Sequence, residues 1–178
     1  MEETMEDLKY PVGRFDWSSQ VSIEDRKKAV QVIAKFPSKI RDAVKSLSET
    51  QLDTPYRPEG WTIRQVVHHC ADSHMNAYIR FKLALTENKP TIKPYDQTEW
   101  AKLPDSKLDP EISLSLIEGV HKRWVTIMSY MSDSDWELGW IHPEHNKWQG
   151  MQQIATMYAW HCEHHRAHIT RLVEREGW

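Results

Sequence analysis

A chain of 178 residues is long enough to close one hydrophobic core and suits a single domain over residues 1–178. Its net charge of -3, with scattered Lys and Arg, offers no field that would favour nucleic acid or a membrane surface. No apolar run approaches the ~18 residues of a membrane span, the acidic start MEETMEDLKY has no signal-peptide pattern, and two cysteines give no disulfide framework, so a soluble cytoplasmic protein is expected.

Residues 1–21 lack periodicity, carry Pro11 and Gly13, and read as an irregular arm lying over the surface. Ser22, with Asp25 three residues on, opens a first helix whose apolar positions Val30, Ile33, Ile40, Val44 and Leu47 recur at helical spacing. Pro37 is expected to kink or interrupt it. Residues 53–61, DTPYRPEGW, form a loop. Thr62 can cap a second helix over residues 63–86 with Ile63, Val67, Cys70, Ala77, Phe81 and Leu85 as its apolar face. The stretch 88–110 holds four prolines and reads as a long crossover, not a tight turn.

A third helix is expected over residues 111–131, with Ile112, Leu116, Val120, Trp124, Ile127 and Met131 in phase. Ser132 and Asp135 mark a short turn of helix near Trp136, and residues 139–150 an irregular connection able to form a small hairpin. The last helix runs from about Met151 to Glu176 and ends at Gly177. Four amphipathic helices with almost no alternating pattern imply an all-α, four-helix bundle with long crossover connections.

Seven of the ten histidines fall in two windows, 68–74 and 161–168. On the last helix Ile154, Tyr158, His161, His165, His168 and Leu172 follow the 4-3 spacing of a core-facing seam, so three imidazoles stand where a bundle ordinarily places leucine. An unsatisfied buried polar group costs roughly 1–3 kcal/mol, and one divalent metal ion would satisfy several rings at once. His161 and His165 lie one turn apart within the seam, whereas His164 of the competing pair His164 and His168 falls toward a flank. A third ligand is expected from a facing helix. There His68 shares a stripe that looks solvated, and His69 and His74 are nearly tied. Cys70 and Cys162 neighbour candidate ligands but are out of phase with them, and read as small buried residues.

The segments YPVG, LDTPYRPEGWTIRQVVHHCADSHMNAYIRFKLALTE and YAWHCEHHRAHI resemble the YfiT branch of the DinB-like superfamily, a likeness that spans essentially the whole chain. The resemblance implies a four-helix bundle, usually a homodimer, with one divalent ion, zinc or nickel, on three histidines. By motif position these correspond to His69, His161 and His165. It also implies a metal-dependent hydrolase, or a transferase joining a low-molecular-weight thiol such as bacillithiol to an electrophilic small molecule. Asp72 is a candidate to orient a ligand histidine, and Asn76 and Arg80 are candidates to contact an anionic substrate. The alternative is a non-catalytic, metal-stabilised binding or stress-response module. Three histidines with no evident fourth protein ligand weigh against a purely structural ion.

Overall fold

The computed structural model describes residues 4–144 and 146–178; residues 1–3 of the arm and His145 of the last connection lie outside them. Four long helices, α2 (Ile23–Val44), α4 (Ile63–Thr86), α6 (Pro110–Tyr130) and α8 (Met151–Glu176), make the bundle. Between and before them lie α1 (Met5–Lys9), α3 (Glu49–Leu52), α5 (Gln97–Trp100), a 3-10 turn at Pro104–Lys107, α7 (Asp133–Trp136) and the hairpin β1 (Gly139–His142) with β2 (Lys147–Gly150). The N-terminal arm is therefore partly helical. Thr4 and Asp7 form a capping box in which each side chain accepts from the other's backbone amide.

Local signals set the starts of the long helices. Ser22 with Asp25, and Thr62 with Gln65, form reciprocal capping boxes. Pro110 occupies the first turn of α6, where its missing N–H costs nothing. α8 ends on Gly177 at φ 71°, a left-handed cap that glycine adopts without strain. The break expected at Pro37 does not occur, for α2 continues through it to Val44. Tertiary packing on two neighbours holds the helix across one missing hydrogen bond.

α2 packs on α6 and α8, and α4 packs on the same two helices, so α2 and α4 sit on one diagonal. Direction follows from side-chain partners. His68 meets Ser113, His74 meets His121, and Phe81 meets Trp124, so α4 and α6 run parallel. Arg26 with Asp133 and Arg41 with Glu111 make α2 and α6 antiparallel. Parallel neighbours cannot be joined by a tight turn, and this is the physical reason for the proline-rich crossover between α4 and α6. The crossover is pinned at both ends. Arg64 binds Glu49, Asp53 and the Leu108 carbonyl, and Ile92 and Pro90 exchange backbone hydrogen bonds with Ile141 of β1. At the hairpin's mouth a side chain at Gly139 would strike the Gln149 carbonyl, so the position admits only glycine.

The core is built from Ile33, Phe36 and Ile40 of α2, Ile63 and Phe81 of α4, Ile117 and Trp124 of α6, and Met151, Ile169 and Leu172 of α8, closed at one end by Trp140. The expected phase of the third helix needs correction. Ile112 and Leu116 are each 50% exposed, and the buried stripe is Ser113, Leu114, Ile117, His121, Trp124 and Met128. An apolar count passes over Ser113 and His121, the two members of that stripe that are polar.

Candidate metal centre

α4 and α8 bring the two histidine windows face to face. His69, His161 and His165 each offer a ring nitrogen, and the three atoms lie within 4.8 Å of one another. His69 Nε2 stands 3.3 Å from His161 Nε2. Two nitrogens bound to one tetrahedral zinc at ~2.05 Å are separated by about 3.3 Å, so this donor pair is spaced for a shared ion. Neutral nitrogen donors and no thiolate suit a borderline divalent metal.

Burial holds these rings neutral. It lowers the His69 pKa to about 4, and it holds His161 and His165 well below the ordinary imidazole value, with neighbouring histidines adding to the effect. A neutral imidazole keeps a lone pair free for coordination. Trp61 lies against His69 with ring centroids 4.6 Å apart, and Tyr56 stacks on His168 at 3.9 Å. These aromatic contacts fix ring planes and keep water off the flanks.

The other histidines have definite places. His68, expected to be solvated, is buried, with Nδ1 2.7 Å from Ser113 Oγ and Nε2 3.0 Å from the Leu108 carbonyl. The parallel packing of α6 on α4 covers it, and the stripe rule could not foresee that neighbour. His74 lies behind His161, with its Nε2 3.0 Å from His161 Nδ1. His164, His165 and His168 form a second group of close donors, but His168 Nε2 is engaged by the Lys9 carbonyl at 3.2 Å. His164, expected on a flank, is buried under Trp160 at a 4.4 Å centroid distance.

A cavity of about 600 Å³ opens onto the three rings. Lys9, Arg57, Trp61, Gln97 and Trp160 line it together with His69, His161 and His165. Asp72, Asn76 and Arg80 are not among its lining residues. Asn76 donates to the Asp72 carbonyl and Arg80 to the Lys93 carbonyl, so both serve backbone groups. Asp72 is half-buried, and burial and then Asp105 raise its pKa to about 6. The ligand-candidate rings lean on other histidines and on aromatic side chains, not on this carboxylate. Cys70 and Cys162 are buried and belong to neither donor group. His121, a site residue that the sequence reading missed, touches His74 from α6. Its signal was a lone histidine in phase with Trp124 and Met128.

Comparison with known proteins shows the family and the fold. Residues 33–169 match the DinB superfamily. A protein of Bacillus mycoides (strain KBAB4) and one of Bacillus cereus (strain 03BB102), both named provisionally as metal-dependent hydrolases, are each 49% identical over 174 residues, covering 98% of this chain and all of theirs. The structure of YfiT from Bacillus subtilis, described as "a probable metal-dependent hydrolase with an unusual four-helix bundle topology", superposes with a TM-score of 0.93 at 46% identity, over 97% of this chain and 99% of that one.

Proposed function

The chain belongs to the DinB superfamily, and from that premise we propose that it is a metal-dependent hydrolase whose divalent ion is held by His69, His161 and His165. The observation that carries this reading is the meeting of three buried imidazoles, two of them 3.3 Å apart through Nε2, at the floor of an open cavity. A zinc or nickel ion there supplies a positive charge that favours ionisation of water or a thiol near neutral pH.

The surrounding residues select what enters. Lys9 and Arg57 at the cavity wall draw an anionic small molecule, and Tyr56, Trp61 and Trp160 offer faces on which a planar or apolar group stacks while water is excluded. Gln97 and Thr98 add neutral hydrogen-bonding groups. A second reading, transfer of a low-molecular-weight thiol of the bacillithiol kind, is favoured by one feature. Among the described lining residues the single carboxylate is Glu59, exposed on its loop, and burial lowers the pKa of the lining rings of His164 and His168 to about 4 and about 3, so the cavity offers only weak bases to take a proton from water. A thiol that is already ionised needs none.

The test is metal content per chain, measured on protein without a histidine tag, for the native sequence and His165→Ala, with ester hydrolysis and thiol transfer assayed on the same samples. About one equivalent in the native protein, lost in the variant together with turnover, supports the proposal. Metal retained by His165→Ala overturns the ligand set. Metal without either activity leaves the non-catalytic module.

A further inference from the structure

Behind the three-histidine floor runs a line of hydrogen bonds that begins at a proline. In an α-helix the carbonyl of residue 33 would accept from the amide of residue 37. Residue 37 is proline and has no N–H, so the Ile33 carbonyl is left without its helical donor inside the core. His121 of α6 supplies one, with its Nδ1 2.7 Å from the Ile33 oxygen. Next, His121 Nε2 lies 2.7 Å from His74 Nδ1, and His74 Nε2 lies 3.0 Å from His161 Nδ1.

The direction of this line is fixed by its first member. A carbonyl oxygen only accepts, so His121 must carry its proton on Nδ1. A neutral ring then has a bare Nε2, which accepts from His74 Nδ1–H. The same logic passes through His74, whose bare Nε2 accepts from His161 Nδ1–H. The remaining nitrogen of His161, Nε2, is therefore an unprotonated lone pair, and it is the atom that faces His69 at 3.3 Å. We infer that His74 and His121 are positioning residues, an imidazole relay anchored on the carbonyl that Pro37 leaves free, which locks His161 in the Nδ1–H tautomer and aims its Nε2 at the metal centre.

This inference rests on the three-histidine reading for its purpose but not for its chemistry, because the tautomers are set in the metal-free chain. A free neutral imidazole in water prefers the proton on Nε2, so the relay reverses the ordinary preference at three rings. Outer partners of this kind fix ring orientation and raise ligand basicity, and their loss typically weakens metal binding 10–100-fold. None of the three candidate ligands lies on helix α6, which reaches His161 through His121 and His74.

The experiment is long-range proton–nitrogen correlation on metal-free full-length protein carrying 15N-histidine, with zinc affinity measured by chelator competition on native protein and His121→Phe. The expected spectrum shows His121, His74 and His161 protonated on Nδ1. In His121→Phe the His161 signal should become a mixture of tautomers, and the zinc dissociation constant should rise 10–100-fold with the helical circular dichroism unchanged. A native spectrum with His161 protonated on Nε2 overturns the relay whatever the metal does. A folded His121→Phe that keeps the His161 tautomer and native zinc affinity overturns it also. If that variant does not fold, the native spectrum decides alone. Native protein that takes up no zinc while showing the three Nδ1–H rings would count against the metal reading, not against the relay.

Discussion

The Lys9 carbonyl oxygen lies 3.2 Å from His168 Nε2 and accepts a hydrogen bond from its N–H, joining the N-terminal arm to the last helix across 159 residues of sequence. His168 Nδ1 in turn lies 3.4 Å from His165 Nδ1, so the arm reaches a candidate ligand through one intervening ring. The contact ties the arm to the candidate site although α1 itself has no buried residue.

Deleting residues 1–9 is therefore expected to leave the melting temperature nearly unchanged, as surface changes usually do, while zinc affinity falls about tenfold, the lower end of what loss of an outer partner does. Differential scanning calorimetry and chelator competition on the truncated chain measure the two effects separately. A large loss of stability with unchanged affinity would contradict the assignment.

Stability of the metal-free protein should fall with acid. Burial lowers the pKa of His121 and His164 to about 4 and of His168 to about 3, against an ordinary value of 6.5. Below pH 6.5 the unfolded chain takes up protons that these rings refuse in the fold. Stability is then full above pH 6.5 and drops as pH falls toward 4, at a limiting slope of about 1.4 kcal/mol per pH unit for each ring, with the His168 share continuing toward 3. Urea melts at pH 7.5, 6 and 5 should show a steadily decreasing midpoint. Bound metal should move the loss to lower pH, because protons must then compete for the ligand nitrogens.

Cys70 and Cys162 are both 0% exposed, and burial pushes each thiol well above its ordinary pKa. Neither is expected to react with Ellman's reagent in the native protein, and both should react in guanidinium. Rapid labelling of either thiol without denaturant would show that α4 and α8 separate more readily than their packing implies.

Phe81 fills the end of the core between Trp124 and Trp140, at centroid distances of 5.2 and 5.8 Å. Replacing it with alanine removes a fully buried ring and should cost about 3–5 kcal/mol in urea unfolding. The two tryptophans give the change a fluorescence signal. Native metal content at low temperature should survive, since the cavity lies elsewhere along α4.

Much of this was readable from residue order. The caps Ser22 with Asp25 and Thr62 with Gln65 are local, as are the 4-3 seam of α8 and the prolines that rule out a tight turn before α6. The hairpin at Gly139–Gly150 and the turn at Trp136 also carry their own chemistry. What sequence could not supply is register between helices. His74 and His121 are 47 residues apart, and they meet only because α4 and α6 lie parallel. The buried state of His68 has the same cause, through Ser113. Ile112 and Leu116 fit a helical period as well as Leu114 and Ile117 do, and only the neighbouring helices decide which pair turns inward. Pro37 reads as a breaker until a donor from another helix is placed beside it.

That donor has an evolutionary implication. While residue 37 is proline, loss of His121 would strand the Ile33 carbonyl in the core. A descendant that first regains an amide at position 37 could give up the histidine more cheaply. Divergence at the two positions should accordingly have an order, with histidine lost at 121 mainly in lineages that have already lost proline at 37.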